Sequence, residues 1–386
     1  MNNLNREFTR MNTDQIRVHS CQSAAELLLR CARTPAGEVD WEYLFLLARR
    51  HSVVPLVYFQ LERSAPDIIP APILKKLKQH YIENAARNTI LTTELCRLIN
   101  LFRNEGIDAI PYKGPVLAQF AYGNIALRRF VDLDVIVHKS DVLHAREILL
   151  NEGYAPTKSL SLSQQELLLR TQHNLQFSRD NHRLIVELHW DIAPRLFASS
   201  MNTDRLWQEL VTIDLNGTTV KTFPADDLLF SLCVHGSRHL WERLAWICDV
   251  AELITRHTID WTTLLERARA ADNERMFLLG PYLAERLLDA PLPNEIKQHC
   301  ASDPRLAALA ENVIEHLFNG STHVPATSRE IFKYNLDVRK TLSARARYLL
   351  YMLRPTDGDL ASHALPASLN FAYYLTRPFR LFRTKI

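Results

Sequence analysis

Glycine is scarce, with ten in 386 residues against eighteen prolines. That shortage, together with abundant Leu, Ala, Arg and Glu, favours helix. The six cysteines (Cys21, Cys31, Cys96, Cys233, Cys248, Cys300) include no CxxC pair. Scattered thiols of this kind argue for a reducing compartment, and against a disulfide framework or a cysteine zinc site. No apolar run approaches the roughly 20 residues a membrane helix needs. The opening MNNLNREFTRMNTDQIRVHS lacks the apolar stretch of a signal peptide. The expectation is a cytoplasmic protein without a transmembrane segment. A strong charge of either sign is also missing: the formal net charge is +3. That is too small to imply a long nucleic acid as partner and leaves a small molecule or a peptide better favoured. No internal repeat is evident.

What is present is an ordinary globular composition, 47% hydrophobic and 23% charged. At this length two or three packed units are expected. Residues 22–103 read as helices separated by prolines at 35, 55, 66, 70 and 72. At Gly106 the character changes to short apolar runs, and from Pro224 helix returns, with PADDLLFSLCVHGSRHLWERLAWICDVAELITR as one long amphipathic segment. The division expected is a helical region at 1–104, an α/β core at 105–224 and a helical domain at 225–386. The fold class expected is α+β, with a short mixed sheet flanked by helices. The last stretch, NFAYYLTRPFRLFRTKI, is basic and aromatic and reads as an amphipathic end with solvated charges.

The stretch that carries chemistry is IDAIPYKGPVLAQFAYGNIALRRFVDLDVIVH, residues 107–138. It reads as a strand ending at Tyr112-Lys113-Gly114, a helix opening at Pro115, and a second strand over 131–137. Strand side chains alternate faces, so Asp132 and Asp134 leave one side while Leu133, Val135 and Val137 pack beneath. Two carboxylates held together repel, and a cation resolves the repulsion. Two further strands are expected at 174–179 and 183–190, joined by a turn at Asp180-Asn181-His182, with another at 218–223. A glutamate interrupting the apolar LIVELHW requires a partner, so Glu187 is the third candidate carboxylate, provided its strand neighbours 131–137. Pairing of Glu187 with Arg183 is the simpler alternative. Gly114 at a strand-to-helix turn offers free backbone N–H groups to an anion, and Lys113 adds charge.

On these residues the chain resembles the nucleotidyltransferases of the DNA polymerase beta superfamily. It is most similar to a branch with a Lys-Gly turn (Lys113-Gly114), an Arg-x-x-x-Asp-h-Asp strand (Arg128, Asp132, Asp134) and a Glu-Leu-His-Trp strand (Glu187 to Trp190). Trp41, Ala48, His51, Pro55 and the His235…Trp246…Asp249 segment share the likeness. The resemblance implies the polymerase-beta-like core. It implies transfer of a nucleoside monophosphate from a nucleoside triphosphate such as ATP to a hydroxyl-bearing acceptor, with release of pyrophosphate. The acceptor could be a small molecule, a peptide or a protein. Asp132, Asp134 and Glu187 would hold one or two Mg2+ ions, with Mn2+ an alternative, and Lys113, Gly114 and Arg128 would steady the phosphates. Lys-Gly replaces the superfamily's usual Gly-Ser or Gly-Gly, and the interval from Gly114 to Asp132 is longer than common.

Beyond that core, His189 shares a face with Glu187, and His235, Arg243 and Asp249 are candidates for substrate contacts on a helix edge. Each also has a plain reading as a satisfied core or surface group. His235 and His239, one helical turn apart, lack a third zinc ligand in the sequence. Two other readings stay open: a non-catalytic scaffold or toxin–antitoxin component on the same fold, and transfer of the terminal phosphate.

Overall fold

The computed structural model describes residues 19–33, 37–64, 66–158, 160–192, 203–318, 326–362 and 365–383. Among the described residues four helices come first: α1 (His19–Cys31), α2 (Trp41–Arg50), α3 (Val54–Ser64) and the long α4 (Ala71–Asn104). Asp40 caps α2 by accepting from the Tyr43 N–H at 2.9 Å, satisfying one of the donors every helix start leaves free. The α/β segment runs β1 (Ala109–Pro111), α5 (Gly114–Tyr122), β2 (Leu133–Val137), α6 (Val142–Asn151), β3 (Ala155–Pro156), α7 (Leu162–Thr171), β4 (Asn174–Arg179), β5 (Leu184–His189). A short helix α8 (Thr203–Gln208) and the hairpin β6 (Val211–Leu215) and β7 (Thr218–Thr222) close it. The rest is helical: α9 (Ala225–Arg238), α10 (Leu244–Arg256), α11 (Trp261–Ala270), α12 (Glu274–Leu288), α13 (Asn294–Ala301), α14 (Pro304–Phe318), α15 (Ser328–Asp337), α16 (Leu342–Met352), α17 (Asp357–Ser362) and α18 (Ala372–Arg383). The fold is therefore mixed α+β with a short sheet, as the sequence led one to expect.

The five-stranded sheet has the order β1-β2-β5-β4-β3. β2 and β5 are parallel, while β1 with β2, β5 with β4 and β4 with β3 are antiparallel. The β4–β5 turn puts Asp180, Asn181 and His182 at positive φ, a conformation that Asn and Asp tolerate better than most residues. In β2 the alternation sends Leu133, Val135 and Val137 into an apolar cluster with Leu95, Phe102, Val186, Leu188 and Leu149. Each such fully buried aliphatic side chain contributes about 1.5–3 kcal/mol.

A second, larger cluster joins Leu28 of α1, Val57 of α3, Ile110, Leu117 and Ile136 of the sheet segment, and Phe230, Trp241 and Phe277 of the later helices. The segments 1–104, 105–224 and 225–386 thus contribute to one core. Polar contacts reinforce the closure: the Ala245 N–H donates to the His51 carbonyl at 3.2 Å, and Arg50 donates to the His316 carbonyl at 2.9 Å.

The long segment after Pro224 is two helices rather than one. α9 stops at Arg238 because Leu240 and Trp241 take positive φ and fold the Trp241 ring back under the helix. A β-carbon at Gly236 would stand 2.5 Å from that ring, so only glycine admits it. The side chains of residues 378–383, and residues 384–386, lie outside the described residues, so the basic aromatic end is described only in part. There, Arg377 pairs with buried Asp359 at 2.9 Å and Tyr373 enters the sheet-side cluster.

Candidate active site

The parallel pairing of β2 with β5 sets Asp134 directly opposite Glu187 and Ile136 opposite His189. Directly paired residues project to the same face, so one side of the two strands carries Asp134, Glu187 and His189 together. One ligand atom from each of the three lies within 4.8 Å of the others. His189 Nε2 is 3.2 Å from Asp134 Oδ1 and 3.3 Å from Glu187 Oε2. Neither approach has hydrogen-bond geometry, and both ring nitrogens of this buried histidine lack a hydrogen-bond partner. Lys113 Nζ approaches Asp134 Oδ1 at 3.5 Å. Across β4, Asn174 donates to Glu187 Oε2 at 3.2 Å and Gln176 donates to Oε1 at 3.3 Å, which fixes the carboxylate's plane.

Asp132 stands at a bend just before β2 rather than within it, and is half-buried. Its backbone carbonyl faces Gly114, which enters α5 at φ +53°. A β-carbon on Gly114 would meet that carbonyl oxygen at 3.1 Å, so the Lys113-Gly114 turn and the Asp132 backbone require glycine to approach this closely.

The electrostatics follow from crowding. Burial, then the charges of Asp134 and Glu187, raise the Asp132 carboxyl to about 6. Burial would do the same to Asp134, but Lys113 and His189 outweigh it and hold that carboxyl far below its usual range. Burial also opposes Glu187, and the close approach of His189 pulls it below its ordinary value. His189 itself is disfavoured as a cation by burial, yet Asp134 and Glu187 keep it above its ordinary value. The cluster thus sets the carboxylates of Asp134 and Glu187 around the His189 ring, with the Lys113 Nζ 3.5 Å from Asp134. Tyr112, fully buried, edges onto the His189 ring at 5.5 Å, and its hydroxyl has no hydrogen-bond partner. Burial and the three carboxylates keep that hydroxyl protonated.

A cavity of about 220 Å³ opens beside this cluster. Lys113, Glu187 and His189 form its sheet side, with His173 and Asn174 at the start of β4 and Ser231, His235, Arg238 and His239 on α9 opposite. Burial, followed by Lys113 and His239, holds His235 well below its usual range, so its ring is neutral and can donate or accept toward a ligand.

Of the residues singled out from the sequence, the fold gathers Lys113, Gly114, Asp132, Asp134, Glu187, His189 and His235 around one face. Arg128 and Asp249 are joined to each other instead. Arg128 Nε and Nη2 donate to Asp249 Oδ1 and Oδ2 at 2.9 and 3.0 Å, and the Tyr122 hydroxyl adds a bond to Oδ1 at 2.8 Å. Arg243 lies 5.9 Å over the Trp246 ring, away from the carboxylates' hydrogen-bond network. His173, Asn174, Gln176, Ser231 and Arg238 were not singled out from the sequence. Asn174 and Gln176 had a usable signal, being on the same strand face as Glu187 once β4 and β5 are read as a hairpin. Arg238 and Ser231 had none, since their place depends on how α9 packs.

The donor set suits a divalent cation. Two carboxylate oxygens and an imidazole nitrogen without a hydrogen bond converge from adjacent strands, and with the imidazole neutral these are donors of the kind a divalent cation takes.

Residues 37–289 match the model of a family described as uncharacterised nucleotidyltransferase. The chain belongs to this family. The match takes in α2 to α4, the whole Asp134–Glu187–His189 cluster and the α9 wall of the cavity. No curated protein matches the chain. Among solved structures, an antigenic nucleotidyltransferase-like protein from Paracoccidioides brasiliensis is similar at 16% identity, covering 52% of this chain and 93% of that one, with a TM-score of 0.33. A likeness of that size carries no argument about this site. Among the described residues no helix is long and apolar enough to cross a membrane, and the five described cysteines form no disulfide.

Proposed function

We propose that this nucleotidyltransferase moves a nucleoside monophosphate from a nucleoside triphosphate to a hydroxyl-bearing acceptor, a small molecule or a peptide, in a cytoplasmic setting. The acceptor oxygen bonds to the α-phosphorus, the bond from that phosphorus to the bridging oxygen breaks, and pyrophosphate leaves with the electron pair. The observation that supports this reading is the register of β2 against β5, which holds Asp134 and Glu187 side by side behind a glycine turn.

In this reading Asp132, Asp134 and Glu187 hold Mg2+, or Mn2+, with His189 beside them. A bound divalent ion neutralises the phosphates and lowers the pKa of the attacking hydroxyl. Glu187, kept ionised and held in plane by Asn174 and Gln176, accepts the acceptor's proton. Lys113 and the backbone N–H groups at Gly114 orient the phosphate chain, and His235 and His189 face the acceptor. Arg128 acts through Asp249, fixing the loop that leads into Asp132. Positioning and charge neutralisation supply most of the rate in such a scheme.

One observation favours the scaffold reading: Lys113 and His189 already compensate Asp134 without any ion. Calorimetric titration of Mg2+ and Mn2+ with each of the four common nucleoside triphosphates separates the two. We expect metal-dependent nucleotide binding, loss of pyrophosphate release by at least about a thousandfold in Asp132→Asn and Asp134→Asn, and unchanged thermal unfolding. Binding of no nucleotide in the presence of either metal would place the chain among scaffolds. Mass analysis of the modified acceptor distinguishes a nucleotide from a single phosphate.

A further inference from the structure

A second cavity, of about 210 Å³, lies where α2, α3 and α4 meet the loop before Asp132. Arg49, Arg87 and Arg129 line it, with His80 and a single carboxylate, Glu83, whose closest basic neighbour is His80 Nδ1 at 3.8 Å. Arg243 adds a fourth guanidinium near Arg129. Among the described residues none of the four arginines takes part in an ion pair, although Arg97, Arg128, Arg179 and Arg275 all do. Burial and then the charges of Arg243, Arg87 and Arg49 hold Arg129 below its ordinary pKa, as expected of like charges brought together without an anion.

The backbone that carries Arg129 is firmly placed. Asn88, fully buried on α4, donates to the carbonyls of Ile125 and Arg128 at 2.5 and 2.8 Å, and Asn84 donates to Ala126 at 2.9 Å. The fold thus fixes the backbone from which Arg129 projects, while all four arginines remain exposed to solvent and open to an anion. Arg129 lies three residues before Asp132, and Arg243 rests on Trp246, whose ring packs edge-on against His235 of the first cavity at 5.0 Å.

We propose that this arginine cluster is a binding site for a phosphoryl group carried by a small molecule. Guanidinium forks match phosphate oxygens two at a time, and a phosphoryl group brings up to two negative charges to grouped guanidiniums where a carboxylate brings one. The cavity is smaller than the roughly 300–1,000 Å³ that encloses a whole organic ligand, so it takes the charged head while the remainder lies outside it. That this ligand is the acceptor rests on the transfer reaction proposed above; the anion site itself does not.

The test is calorimetric titration of inorganic pyrophosphate into the full chain with chelator and no metal, so that the transfer chemistry has no part in it. Saturable binding is expected. Arg87→Gln with Arg129→Gln should weaken it by at least about tenfold, since two charge-assisted contacts are lost, while Lys78→Gln, an exposed charge on α4 outside the cavity, leaves it within about threefold. Should the double variant melt early, Arg49→Gln with Arg243→Gln serves in its place. Absence of saturable binding, or its loss in Lys113→Ala but not in the arginine variants, overturns the proposal. Citrate binding as tightly as pyrophosphate overturns the phosphoryl assignment.

Discussion

Asp249 is almost wholly enclosed, with 1% of its side chain exposed against 11% for its partner Arg128. An ion pair removed from water this far is held together by geometry, and removal of one member leaves an uncompensated charge. Asp249→Asn should therefore lower stability by about 3 kcal/mol, read by denaturant unfolding. A double-mutant cycle with Arg128→Met should return a coupling above about 1 kcal/mol; a coupling near zero would show that the two act independently. From the sequence each of these residues looked available to a substrate. Nothing in their 121-residue separation revealed that α10 brings Asp249 back against the loop. His189 shows the converse: its alternation with Glu187 was legible, and the strand register then placed it between two carboxylates.

At the scale of elements, the turn from β1 into α5 decides how closely the Asp132 backbone can sit to Gly114. Gly114→Ala places a side chain at positive φ, a strain of about 1–2 kcal/mol, and sets its β-carbon against a backbone oxygen that cannot swing aside. The expected outcome is a stability loss of that size together with a larger fall in nucleotide binding, because the Asp132 carbonyl must move. Melting temperature and calorimetry on the same variant check it, and unchanged binding at lowered stability would detach the turn from the site. Strand alternation and hairpin chemistry were plain in the sequence for β2, β4 and β5. The break between α9 and α10 was not, since the apolar period runs through it and the helix stops only because Trp241 has a place beside Gly236.

For the whole molecule, the junction between α4 and the sheet is held by a buried polar group as well as by apolar packing. Glu94 accepts from Arg97 at 2.8 Å and from the Tyr154 hydroxyl at 2.7 Å, and Arg179 of β4 stands 3.1 Å away. Burial alone would raise this carboxyl, but those partners hold it below its ordinary value of 4.5. A depressed native pKa means the unfolded chain binds the proton first. The contribution is complete above about 4.5 and is lost as pH falls through the lower native value. Glu94→Gln should cost about 3 kcal/mol near neutrality, and the gap from the parent should close as pH drops below 4.5. A gap independent of pH would assign the loss to packing instead.

By itself the sequence determined the local terms: helix from composition and period, strand from alternation, and the carboxylates at Asp132, Asp134 and Glu187 from the price of placing charge in an apolar strand. Those are properties of neighbours within a few residues, which period and residue type encode. Only the tertiary structure decided which strands pair, and so which charges meet. Register brought Asp134 to Glu187, packing of α10 took Arg128 to Asp249, and the closure of α2, α3 and α4 on one loop gathered Arg49, Arg87 and Arg129. Such encounters depend on how apolar faces close over one another, and that summed burial is not carried by any local stretch of chain.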